Sequence, residues 1–343
     1  MEQKNYGVIL EPIKEQDLLF GTNNRVEHNI KIGLEKWLSY FSEGELQLGT
    51  YYDTMSCVTF SALNVVEAIL NYQIRNKMMS IENIKWLFDN GYLNEKGEVD
   101  LSDRFTAIMS GTTEQGNTGG QVWDSIRNIG VIPEKMFSWD KSRTAPMEQR
   151  FIDYFLDRKY ITQEMIDLAK EFTNRFNVYY EHVMSPEYVK AQEYSPIHVF
   201  ISTYCGSENG IEKACDKTPN HAVSFPEVRE EYNPLFDHYI NLPDEQGNER
   251  FIRKVSKDFK FYHYGYVCTI TEKSNNQENM DNTRVRIIKD ENSPAVGFFL
   301  PADSPETIEN MAELYGKVVP KFPNGTIDFA KFIEGTVKLN KSL

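Results

Sequence analysis

The chain has 343 residues, with 51 Asp and Glu against 37 Lys and Arg for a net charge of −14, and 40% of its residues are hydrophobic. At roughly 100 to 200 residues per domain, this length allows one large two-lobed domain or two to three smaller ones around a sizeable core, and a composition with 13% aromatics excludes a disordered or fibrous chain. The acidic excess is spread out and lacks the clustered Lys and Arg that nucleic acid or an anionic membrane would attract, so neither is expected as a partner.

No run of about 18 apolar residues occurs, so no transmembrane helix is expected. The start, MEQKNYGVILEPIKEQD, has neither a basic region nor an apolar segment with a small-residue cleavage site, so export is not expected and a reducing compartment is. Cys57, Cys205, Cys215 and Cys268 show no CxxC spacing, which argues against structural zinc and a disulfide framework. Cys205 and Cys215 could bridge a short loop, though two free thiols are the simpler expectation. No cofactor motif is found.

In chain order, residues 1–50 read as irregular structure with a short strand at YGVIL and one amphipathic helix around IKIGLEKWLSYF. From Ser56, SCVTFSALNVVEAILNYQIRNK carries apolar residues at helical spacing on several sides, which predicts a long buried helix. ENIKWLFDNGYL and TGGQVWDSIRNIGV predict shorter helices, the second opened by Gly119 and Gly120 and closed at Gly130. The NEKGEVD stretch between them lacks calcium-loop spacing and reads as a solvated turn. Residues 145–190 read as charged, surface-packed helices. SPIHVFISTYC, HAVSFPEV, PLFDHYINL and FIRKVSKDFKFYHYGYVCTI then alternate with the period of antiparallel strands. A polar linker, EKSNNQENMDN, precedes two further strands and two helices. The expected architecture is α+β: an N-terminal region and helical lobe over 1–141, a helical insertion and β-rich lobe over 142–268, and a small α/β extension over 269–343.

Cys57 sits in the first turn of the buried helix, where unpaired N–H groups and the positive end of the helix dipole favour a thiolate. A small buried hydrophobe is the plain alternative. A thiol attacks a carbonyl only if a base removes its proton. His221, in PNHAVSF, starts a predicted strand 164 positions after Cys57 (221 − 57), and Asp237 in PLFDHYIN lies on the next strand, within reach of a hairpin. His28 and His182 stand in charged text, His198 has no acid beside it, His238 faces away from Asp237 by alternation, and His263 belongs to an aromatic cluster.

These segments resemble papain-like cysteine peptidases. C-V-T-F-S-A at 57–62 is similar to the family's C-W-A-F-S-A, and Leu101-Ser102 to the L-S before the cleft. GNTGGQVWDSIRNIGV resembles the C-N-G-G segment, NHAV at 220–223 the histidine block, and Asp237-His238-Tyr239 stands in the place of N-S-W. The similarity spans about 45–268. DTMSCVTFSALN, DRFTAIMSGTTEQGN, DSIRNIG and YSPIHVFISTYC look more specifically like papain-like proteins encoded by tailed bacteriophages.

The resemblance implies a papain-like two-lobed fold with Cys57 as nucleophile, His221 as base and Asp237 in place of an orienting Asn. Gly119 and Gly120 would then lie along an extended peptide, and Tyr239 would shield the His–Asp bond. The family's oxyanion-hole glutamine falls on Tyr51, which leaves Gln47 or Thr54 as the donor beside the Cys57 amide. No inhibitory propeptide is expected ahead of Cys57, so activity would be restrained by location, substrate choice or assembly. The substrate would be a polypeptide, of the virion or the host. The protein would act in the host cytoplasm or packaged in the virion, with residues 269–343 docking other virion proteins and no metal or cofactor. Two competitors remain: an inactive virion protein that keeps the fold for binding, and a hydrolase of cell-wall peptide.

Overall fold

A computed structural model describes residues 5–14, 17–21, 26–32, 36–48, 52–138, 148–203, 206–213, 217–239, 242–243 and 249–273. Nearly all of the expected C-terminal extension, the linker, Cys205 and Cys215 lie outside these residues. The boundary expected at 268 falls inside a strand that continues to Glu272.

The fold is α+β and is organised around one buried helix, α1 (Cys57–Arg75). Apolar side chains cover α1 on every side, and Val58, Phe60, Ala62, Val65, Val66, Ala68 and Ile69 are fully buried. Its few polar side chains tie it to its surroundings. Gln73 Nε2 donates to Ile270 O at 2.6 Å, Asn71 Nδ2 to Tyr40 O at 2.9 Å, and Glu67 Oε1 accepts from Leu101 N at 2.8 Å. Buried polar groups matched in this way lock the helix in one register.

Around α1 stand α2 (Ile81–Asp89), α3 (Asp103–Met109) and α4 (Gly119–Asn128), each with an N-cap hydroxyl, from Ser80, Ser102 and Thr118, bonding a first-turn N–H. After α4 the chain turns at Gly130, whose φ of +98° and contact with Ala169 O leave no room for a Cβ. Next come α5 (Glu148–Phe155), α6 (Gln163–Arg175), β1 (Phe176–Met184) and the short α7 (Tyr188–Ala191). The strands β2 (Ile197–Ile201), β3 (Ser207–Glu208), β4 (Ile211–Glu212), β5 (His221–Phe225) and β6 (Asn233–Phe236) follow. They lead to β7 (Leu242–Pro243), β8 (Glu249–Arg250), β9 (Ile252–Val255) and β10 (Tyr264–Glu272).

The main sheet has the order β1-β10-β2-β5-β6-β9-β4-β3 and is antiparallel except where β4 meets β9; β7 and β8 form a separate ladder. One face packs on α1 through Phe200, Ala222, Tyr264, Tyr266 and Cys268. The other closes its own core from Val199, Ile201, Val223, Phe225 and Val267. Among the described residues no helix is long and apolar enough to cross a membrane.

Two expectations are corrected. Where a helix is expected around residues 30–41, the described residues hold one 3-10 turn, Trp37–Tyr40, and Ile30 and Ile32 are both buried around an exposed Lys31, a period of two. Residues 176–184, expected to be helical, form β1, which pairs along its whole length with β10. Cross-strand pairing there overrides the charge-rich local sequence.

His198 in β2 is fully buried and accepts from Trp123 Nε1 at 3.1 Å, and burial pushes its pKa from 6.5 down to about 3. The folded state therefore refuses a proton that the unfolded chain takes up. This contribution to stability is whole above about pH 6.5 and declines as pH falls towards 3. From pH 7 to 5 it amounts to about 2 kcal/mol. His198→Gln, which keeps an acceptor for the indole, should flatten that part of the stability profile in denaturant titrations. A profile unchanged by the substitution would show that His198 is not the group involved.

Candidate active site

Cys57 is the first residue of α1. The preceding Ser56 does not cap the helix; its hydroxyl donates instead to Thr54 O at 2.8 Å, leaving first-turn N–H groups free of side-chain partners. The Cys57 sulfur lies within hydrogen-bond reach of the backbone of Val58 and of Ala222, the residue after His221. Ser224 Oγ donates to Ser61 O at 2.8 Å and fastens β5 to the first turns of α1. The opening of the helix and the start of β5 are thereby held together although distant in the chain.

Burial nevertheless works against a Cys57 thiolate. Complete burial pushes its pKa well above 9, and the carboxylates of Asp53 and Asp237 raise it further, against the two backbone N–H groups that lower it. The thiolate expected from the start of the helix is thus opposed in the closed arrangement, where desolvation outweighs the helix terminus.

His221 Nε2 donates to Asp237 Oδ1 at 2.7 Å, and both residues are buried. Asp237 follows β6 directly and also accepts from Tyr239 N at 2.9 Å and from Arg253 Nε at 2.7 Å. Burial alone would raise its pKa; the charges of His221 and Arg253 overcome that and hold the carboxyl well below the usual range. The other imidazole nitrogen, Nδ1, is buried without a hydrogen-bond partner. The Tyr239 ring stands edge-on to the imidazole at 5.8 Å. His238 turns elsewhere, bonding Glu45 O at 3.1 Å and the Asn64 amide.

Gln47 is fully buried, and its Nε2 donates to Asp53 Oδ1 and to Tyr6 O, each at 2.8 Å. The Thr54 hydroxyl is buried without a partner. Tyr6 opens the short strand expected at YGVIL, whose place beside His221 was not foreseen. Tyr6 N donates to Asn220 O at 2.9 Å, Asn117 N to Gly7 O at 3.0 Å, and Ile9 N to Asn117 O at 2.9 Å. Val8 and Asn117 form a parallel bridge, and the Tyr6 ring packs against His221 and Tyr239 at 5.3 and 4.6 Å. Residues 6–9 are thus held between the start of β5 and the turn before α4 as an added strand.

The backbone pairing falls on Asn117, three residues before the end of the Gly119-Gly120 pair. Gly120 N instead donates to Glu11 Oε1 at 2.6 Å, at the N-terminus of α4, and a Cβ on Gly119 would meet the Tyr266 ring. Asn117, Asn220, Asp53 and Arg253 were missed by sequence reasoning, as was the docking of the strand expected at YGVIL. The one signal available was Gly7: a glycine inside an apolar run marks a close backbone approach.

No family model matches the chain, and no curated protein matches it. Similar solved structures include xylellain, a cysteine protease from Xylella fastidiosa, at 13% identity over 78% of this chain and 97% of that one, with a TM-score of 0.46. Digestive procathepsin L2 from the Tenebrio molitor larval midgut matches at 11% identity over 78% of both chains, with a TM-score of 0.44. The bromelain protease of Ananas comosus matches at 13% identity over 70% of this chain and 98% of that one, with a TM-score of 0.40.

Proposed function

We propose that the protein is a cysteine peptidase held latent by its own N-terminal segment. The observation that carries this reading is the buried His221–Asp237 pair beside Cys57, with a carbonyl oxygen, that of Tyr6, already seated on the Gln47 amide. A polypeptide that replaced residues 6–9 would find the same backbone partners, Asn117 and Asn220. The Cys57 sulfur would attack its carbonyl carbon as the thiol proton passes to His221. Gln47 Nε2 and the Cys57 amide would hold the oxyanion, while Asp237 keeps the imidazole oriented. His221 then gives the proton to the departing amine, and a water deprotonated by the same imidazole hydrolyses the thioester. Thr54, Gly119 and Gly120 support the walls of the cleft without touching the reacting atoms in this scheme. In the finer form of the proposal the protein is encoded by a tailed phage and processes virion or host protein, with residues 269–343 as its docking region.

One observation favours a second reading: a covered Cys57 kept protonated by burial suits a binding protein of the virion that uses the fold alone. The two separate on an unfolded protein substrate. With Gly7→Val, which is incompatible with the closed segment, discrete fragments should appear, and adding Cys57→Ala should abolish them. A folded Gly7→Val chain that reacts readily with thiol reagents but cleaves nothing would leave the second reading.

A further inference from the structure

We propose that Arg253 is a positioning residue that offsets part of the field of Asp237 at Cys57 and His221, so that the carboxylate orients the imidazole while adding less to the protonation of the thiol than it would alone. The inference rests on the reading of Cys57, His221 and Asp237 as the reacting set.

An unbalanced buried charge is costly. Asp237 is fully buried, and a lone carboxylate in that place would favour the protonated form of every titratable neighbour, the Cys57 thiol included. A neutral amide could accept the His221 N–H without that effect. What the chain places against the carboxylate is a full positive charge. Arg253, in the middle of β9, is 2% exposed and donates from Nε to the Asp237 oxygen that His221 does not use. Its outer end is held by Glu212 on β4 through Nη1. Glu212 is partly solvated, so its charge reaches the site weakened, whereas the Asp237–Arg253 contact is dry. The register supports the assignment: β9 pairs with β6, Phe236 lies opposite Ile252, and Asp237 N donates to Phe251 O at 2.8 Å. The same ladder that brings Asp237 to His221 therefore brings the guanidinium behind it. The neighbouring Lys254 points away, over the Tyr232 ring. Of the other charged groups at the site, Asp53 also bears on Cys57, Gln47 and Tyr239 bring dipoles and a phenol, and His238 lies towards Asn64. These groups are unchanged in the test.

The test is alkylation of Cys57 by iodoacetamide in the full chain, with Gly7→Val in every variant to uncover the sulfur and the Gly7→Val chain itself as the native reference, followed by peptide mapping from pH 6 to 11 and scored by the midpoint of the profile instead of its rate. Arg253→Leu leaves the carboxylate unbalanced and should move the midpoint up by about one pH unit, roughly tenfold slower at pH 7. Asp237→Asn leaves the guanidinium unbalanced and should move it down by a similar amount. The double variant Asp237→Asn with Arg253→Leu should return to within about 0.3 pH unit of the native midpoint. Because the double variant is charge-balanced, its comparison with Asp237→Asn stands even if Arg253→Leu fails to fold. A native midpoint in Arg253→Leu, or a folded double variant that stays displaced with Asp237→Asn, would overturn the proposal. Peptide cleavage is scored separately. Midpoints in the expected order without cleavage would sink the peptidase reading and leave the charge balance standing; cleavage with unmoved midpoints would do the reverse.

Discussion

Replacement of Gly7 by Val should make Cys57 react with iodoacetamide at least about a hundredfold faster than in the native chain at pH 7.5. Gly7 has a φ of +111°, a conformation closed to β-branched residues, and a Cβ built there would lie 2.1 Å from Met55 O, a backbone atom that cannot turn aside. Valine is therefore incompatible with the closed segment on two counts. The closed state is held by the backbone bonds of Tyr6, Gly7 and Ile9, the Tyr6–Gln47 bond and the bond of Glu11 to Gly120. At about 0.5–1.5 kcal/mol net for each hydrogen bond, the set accounts for a closed-to-open ratio of a hundred or more. Loss of the cover also returns water to the thiol and removes the main cause of its raised pKa, so the gain should grow as pH falls towards neutrality. Native-like labelling in a folded Gly7→Val chain would mean that residues 6–9 do not control access to Cys57.

In the Gly7→Val background, His221→Ala should lower peptide hydrolysis by a factor on the order of 10³ to 10⁴, with little change in the affinity for peptide. His221 supplies both proton transfers of the proposed reaction, and no other described imidazole can substitute. His238 is engaged with Asn64 and Glu45, and His198 lies in the core with Trp123. Asp237→Ala should cost less, because it disturbs the orientation of the imidazole and leaves the base itself in place. It should, however, destabilise the fold, since the buried Arg253 would lose the carboxylate at its Nε and keep only Glu212. If His221→Ala kept most of the activity, the hydrolysis would belong to another group.

The His–Asp pairing was legible in the sequence because a strand histidine followed by an acid on the next strand needs only antiparallel geometry, and β5 and β6 provide it. For the oxyanion donor the sequence offered Gln47 and Thr54 as alternatives, since the loop before Cys57 has no period to count. Arg253 could not be read at all. It stands among other charged residues in FIRKVSKDF, and only the β6–β9 register puts it behind Asp237 while sending Lys254 to the opposite face.

By itself the sequence determined a buried helix at 57–75, because apolar residues on all sides of a 3.6-residue period have no place except a core, and it determined the alternating strands of an α+β fold. It determined, too, that a thiol would stand at the start of that helix. Tertiary structure alone decided the state of the thiol. Helix position argues for a thiolate, yet the pKa follows the complete burial of the sulfur and the buried carboxylates near it, and those are set by packing between segments far apart in the chain.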